Sequence, residues 1–386
     1  MKTKYLLGIL FVTMFTASCN RTIDNKHRSL TIQTKGIEYD SLFIRNTEIQ
    51  PFFIKGKKAD SITWTFQIPD SLYKTTASFE ILPKPFDWNT NTTFKASFIA
   101  TINGKDLYTH QLTLDEESSF FTLTYKDCST MENIFLKAIT PEGTDSTVIG
   151  KINQTIFTVE PDKDSETYIR LIDPFYSLFM SQNDTTYEEY VNRYTLLARQ
   201  YPDSKYLISQ FANYLSQYKD KKDVQTIYTN FSDKYKGTIW GEAVEKYLTA
   251  KFENISLPDA LTEESTPIIK DSTRCTVIIF SASWCQPCHK QLPVQKEIYQ
   301  KLKDKVDFVT ISIDEKKTIK QWQEFVKKEE LPWRSLLAYQ DIAGVRGKYY
   351  VPHIPHTLLV YPDGNFEPFN LWEENEINKL YALTGN

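Results

Sequence analysis

Residues 276–289 read Thr276-Val277-Ile278-Ile279-Phe280-Ser281-Ala282-Ser283-Trp284-Cys285-Gln286-Pro287-Cys288-His289. The stretch Thr276–Phe280 is a continuous β-branched and aromatic run, the composition of a strand covered on both faces. Residues 287–303 then carry apolar side chains at helical spacing, at Leu292, Ile298, Tyr299 and Leu302. The turn between this strand and this helix holds two cysteines. At the start of a helix, unpaired backbone N–H groups and the helix dipole stabilise a thiolate, which lowers the pKa of Cys285. Cys288 lies three residues on, along the same face and within reach of a disulfide. Pro287 is tolerated because the first helical turn has no acceptor to lose. Such a pair can exchange disulfides: Cys285 attacks a substrate sulfur and Cys288 resolves the mixed disulfide.

Outward from this turn, strand and helix keep alternating. Val306–Ile313 reads as a second strand, and Thr318–Lys328 as a helix carrying Ile319, Trp322, Phe325 and Val326. A hairpin follows, with Thr357–Tyr361, the turn Pro362-Asp363-Gly364, and Phe366. Trp372–Leu383 closes the chain as a helix. Residues 252–386 are therefore an α/β sandwich around a mixed sheet.

The same region carries Pro293 after the second cysteine, Ser312-Ile313-Asp314, Leu331-Pro332-Trp333, and Val351-x-x-Ile354-Pro355-His356-Thr357 followed by Asp363-Gly364. In this order, together with Trp284-Cys285-Gln286-Pro287-Cys288, these motifs resemble the thioredoxin-like TlpA/ResA family. The resemblance implies a thioredoxin fold and a membrane-anchored thiol-disulfide oxidoreductase outside the cytoplasm, working without a bound cofactor. It implies protein disulfides or dithiols as substrates, an apocytochrome in cytochrome c maturation among them, and a membrane thiol relay as electron partner. The pair is expected to act as a reductant. The resemblance further implies a cis peptide at Ile354-Pro355, with Trp284, Ile354 and Pro355 contacting extended substrate backbone. Two departures stand out. Gln291 occupies the place, three residues after Cys288, where the family often has Glu, and Ile279 stands where thioredoxins proper have Asp. Neither can carry a proton, so His289 becomes the candidate relay, against the plainer reading of an ordinary first-turn residue.

The same residues bear on other chemistries. Cys285-x-x-Cys288-His289 also has the form of a c-type haem attachment site, which would make the chain an electron carrier. The preceding apolar strand, Trp284, Pro287 and the downstream motifs argue against it. Zinc lacks a second C-x-x-C or His pair, so no metal is expected. A peroxidase would want Thr where Ala282 stands. A non-catalytic binding lipoprotein on the same scaffold is the remaining alternative, because fold alone does not set function.

The whole chain has 386 residues, with 45 Lys plus Arg and 49 Asp plus Glu, so the formal charge is 45 − 49 = −4. Without a basic run there is no footprint for nucleic acid. Residues 1–18 have the basic start, apolar run and small-residue end of a signal peptide. Thr16-Ala17-Ser18-Cys19 resembles a bacterial lipobox, which makes Cys19 the lipidation candidate. That reading places a lipid-anchored protein in the cell envelope, on a periplasmic face, with residues 19–28 as tether. Residues 29–160 alternate apolar and polar with turn signals between, as an antiparallel β-sandwich-like domain does. Residues 168–251 read as helical hairpins opened by Thr186-x-x-Glu189. There Tyr194, Leu197, Tyr201 and Tyr206 recur as Tyr228, Phe231, Tyr235 and Trp240, either a peptide-binding stripe or the core of a small bundle. Cys128 and Cys275 are expected as two separate buried thiols, a bridge between them being the alternative.

Overall fold

A computed structural model describes residues 26–46, 51–116, 118–139, 145–173 and 186–383. The signal segment 1–18, Cys19 and most of the tether lie outside the described residues. Among the described residues no helix is long and apolar enough to cross a membrane. The chain divides into two compact units, one ending at Glu160 and the other beginning at Pro161.

In the first unit the period-two alternation becomes a seven-stranded and a four-stranded sheet. Strand Thr63–Pro69 buries Trp64, Phe66 and Ile68 on one side, and strand His27–Lys35 buries Leu30 and Ile32. Phe79 of the smaller sheet meets Phe121 of the larger edge to face, with ring centres 5.9 Å apart. The expectation of a purely antiparallel domain is corrected here. His27–Lys35 runs parallel to Ser119–Ile139, and Thr92–Ile102 runs parallel to Asp145–Thr158. Alternation reports that one face of a strand is buried, and carries nothing about the direction of its neighbour. Cys128 is also corrected: it is an exposed free thiol, and Cys275 is a half-buried one.

The second unit opens with helices Glu166–Ile172, Tyr187–Gln200, Lys205–Asn213, Lys221–Tyr228 and Ile239–Thr249. Thr186 and Glu189 form the capping box. Two helices end earlier than helical spacing alone suggests, giving way to short 3-10 turns at Leu215–Gln217 and Asp233–Tyr235. Ser232 opens the second of these turns by accepting the Lys234 N–H, and Asp220 caps the following helix Lys221–Tyr228 by accepting the Lys222 N–H. Tyr194, Tyr206, Tyr228, Phe231, Tyr235 and Trp240 are buried against one another. The recurring aromatics are thus the bundle core, and the peptide-binding stripe is not formed by them.

A five-stranded mixed sheet follows, in the order Arg334–Leu337, Val306–Ser312, Cys275–Ser281, His356–Val360, Phe366–Pro368. The first three strands are parallel, and the last two are added antiparallel. Gly364 at φ +80° makes the tight turn between those two. On the central strand, Val277 and Ile279 face Leu292, Ile298 and Leu302 of helix Gln286–Leu302, while Ile278 and Phe280 face the opposite core with Val345 and Tyr349. Burying these four contributes roughly 2 kcal/mol each, which holds the strand end that carries the cysteine turn. Strand Arg334–Leu337 and helix Ile342–Lys348 add to the elements that sequence periodicity predicts. They are short, and their apolar residues show no clear period.

Candidate active site

Cys285 caps helix Gln286–Leu302, its sulfur accepting the Cys288 N–H at 3.3 Å. The two cysteines are joined as a disulfide, with Cα atoms 5.3 Å apart. Cys285 is 3% and Cys288 5% exposed. Both cysteines are thus nearly covered, whereas Trp284, directly before Cys285, stands 58% exposed. The peptide Ile354-Pro355 is cis, and Ile354 packs against the core that contains both cysteines. Beside Pro355 lies a cavity of about 300 Å³ whose walls include Gln291, His353, Thr357 and Glu373.

The candidate relay His289 packs against the turn that precedes its helix. Its Nε2 lies 3.3 Å from the Ala282 carbonyl oxygen, and its ring stacks on Phe325 at 4.2 Å. That packing anchors the helix start to the preceding turn. Gln291 and Gln295 pair their amides along the same helix at 3.4 Å. Ile279 is buried among aliphatic side chains. Neither replaces a proton-carrying carboxylate.

Two further groups lie close to the site. Asp314, 1% exposed, accepts hydrogen bonds from the Ser283 N–H at 2.8 Å, the Ser283 hydroxyl at 2.5 Å and the Ser312 hydroxyl at 2.8 Å. A Ser-x-Asp sequence at a strand end is the only local signal for this. His356, directly after Pro355, is buried and its Nε2 has no protein partner. Burial, followed by the charges of His353 and Arg346, pushes its pKa down to about 4. Across the sheet it pairs with Phe280, two residues from Ala282.

Comparison with known proteins agrees with this geometry. Residues 273–366 match a family model described as thioredoxin-like. The thiol-disulfide oxidoreductase ResA of Bacillus cereus is 33% identical over 86 residues, 22% of this chain and 47% of that protein. A chloroplastic thioredoxin-like protein of Oryza sativa is 31% identical over 132 residues, 34% of this chain and 41% of its own length. The chain thus spans between 40% and 54% of the length of the curated relatives it matches. Among solved structures, the thioredoxin domain of a thiol-disulfide oxidoreductase from Bacteroides vulgatus superposes with a TM-score of 0.32 at 19% identity, covering 35% of this chain and 96% of that domain. Fold, cysteine turn and sequence likeness agree on one conclusion: the C-terminal region of this chain is a TlpA/ResA-like domain of the thioredoxin family.

Proposed function

We propose that the protein is a thiol-disulfide oxidoreductase that reduces disulfides of other proteins through Cys285 and Cys288. The observation that carries this is the disulfide closed across one helical turn at a helix N-terminus, in the region that matches thiol-disulfide oxidoreductases. In the reduced protein, the Cys285 thiolate attacks one sulfur of the substrate disulfide and expels the other as a thiolate, which takes up a proton. Cys288 then loses its proton to solvent and attacks Cys285, releasing the second substrate sulfur. The substrate gains two electrons and two protons, and the Cys285–Cys288 disulfide is formed. A thiol relay in the membrane must return the two electrons. Trp284, Ile354 and Pro355 line the approach and hold extended substrate backbone as a neighbouring strand would. The basic, apolar and lipobox-like start of the sequence supports a lipid anchor at Cys19 and a site on the periplasmic face of the envelope.

The test is the redox equilibrium of the whole protein against dithiothreitol or glutathione buffers, with Cys285→Ala as control. A two-electron transition that the control lacks is expected. In parallel, Cys288→Ser should accumulate the mixed disulfide with a protein substrate, because the resolving step is gone. Absence of any transition, or a haem absorbance band in the purified protein, would overturn the reading.

A further inference from the structure

We propose that Asp314 is a positioning residue that gives the cysteine pair its reducing character, by fixing the Ser283-Trp284-Cys285 turn and holding a negative charge behind it. This rests on the thiol-disulfide exchange reading above, and supplies the direction that the C-x-x-C sequence leaves open.

The carboxylate is fully buried, and three donors converge on it: one backbone N–H and two hydroxyls. An acceptor with only donors around it is what an ionised Asp requires. Among the described residues no cation pairs with it. Two of its three bonds go to Ser283, two residues before the attacking cysteine, so it governs both the shape and the potential of that turn. The turn is further tightened by the Cys285 N–H bonding to the Ala282 carbonyl oxygen at 3.1 Å. Two residues of chain span at most about 7 Å, which keeps Cys285 within the range of an unscreened buried charge. At an effective interior dielectric near 20, a unit charge at such range changes a thiol ionisation by about tenfold.

The charge opposes the helix N-terminus. The dipole favours the Cys285 thiolate, and Asp314 disfavours it. A pair whose thiolate is strongly stabilised is an oxidant, because its reduced form is favoured. Disfavouring the thiolate therefore stabilises the disulfide and makes the dithiol the better reductant. Other titratable and charged groups on the elements around the pair include His289 and Lys290 beside Cys288 on its own helix, His353 and His356 at the proline, Arg346 and Tyr349 near them, and Glu373 and Glu376 in the cavity beside Pro355. None of these bonds to the cysteine turn through a carboxylate.

The experiment compares wild type with Asp314→Asn, which keeps an acceptor of the same shape and removes the charge. Redox equilibria against dithiothreitol are measured from pH 5 to pH 8, and Cys285 alkylation is followed by peptide mass over the same range. In Asp314→Asn the dithiol should become more stable at pH 8 by up to tenfold, equivalent to about 30 mV. Cys285 alkylation should begin about one pH unit lower. At pH 5, where the thiols of both proteins are protonated, the equilibria should coincide. An offset equal at every pH, no offset, or one of opposite sign would overturn the proposal. Should Asp314→Asn fail to fold, Ser283→Ala serves instead: it keeps the charge, removes one donor, and should leave the dithiol less stable or unchanged. A more stable dithiol in Ser283→Ala would refute the proposal. A wild-type protein without a two-electron transition would sink the oxidoreductase reading and this inference together, whereas a normal wild type with an unaltered Asp314→Asn would sink this inference alone.

Discussion

His356 makes the stability of this protein depend on pH in a way that can be calculated beforehand. In the unfolded chain its imidazole has the ordinary pKa of 6.5, and in the folded protein burial brings this down to about 4. Between these values the unfolded chain binds a proton that the folded protein excludes. The stability the neutral ring provides is therefore complete above pH 6.5 and is lost as the pH falls through 4. The difference of 6.5 − 4 = 2.5 units corresponds to about 3 kcal/mol at 1.36 kcal/mol per unit. The substitution His356→Phe keeps a ring of similar size among Phe280 and His353, whose centres lie 6.5 and 6.0 Å away. It also deletes the buried Nε2, which has no protein partner, so at pH 8 the variant should match wild type or exceed it by about 1 kcal/mol. Urea unfolding of both oxidised proteins at pH 4, 5, 6.5 and 8 gives the comparison. Wild type should lose about 3 kcal/mol more than the variant between pH 6.5 and pH 4. Stability curves that stay parallel across that interval would refute the reasoning, because every other titrating group is common to both proteins.

Glu166 should be the costliest single charge to remove from the helical part. Its carboxylate accepts the Ser204 hydroxyl and the N–H groups of Lys205 and Tyr206 at 2.6, 2.7 and 3.1 Å, so Glu166→Ala strands three buried donors and should cost about 3 kcal/mol in a denaturant titration. A loss below about 1 kcal/mol would mean that water replaces the carboxylate there. Trp284 is a test of the approach rim: with its ring 58% exposed, Trp284→Ala should change stability by less than about 0.5 kcal/mol. The same variant should slow reduction of a protein disulfide several-fold while leaving a small aromatic disulfide unaffected. Equal slowing of both substrates would show that the ring acts on the cysteine and not on substrate backbone.

The elements around the cysteines were legible from local signals. The apolar run Thr276–Phe280, the helical spacing after Pro287 and the Pro-Asp-Gly turn each lie within a few residues, and local sterics and caps decide such features with little help from elsewhere. The capping box at Thr186 and Glu189 was legible for the same reason. What the alternation in residues 29–160 withheld was strand direction. The parallel pairing of His27–Lys35 with Ser119–Ile139 brings together segments far apart in the chain, and a period of two is the same in either direction. The aromatic recurrence in the helical part was equally ambiguous, since a buried stripe and a binding stripe have the same spacing.

By itself, then, the sequence located the strand-to-helix turn that holds Cys285 and Cys288 and showed which residues stand where carboxylates are usual. Only the tertiary structure decided what surrounds that turn. It laid the His289 ring on Phe325, buried His356 behind the proline loop, and brought Asp314 under Ser283 across 31 residues of chain. The reason is that electrostatic environment and proton affinity belong to the packed neighbourhood, where desolvation and converging donors come from several elements at once, whereas helix, strand and turn signals belong to consecutive residues.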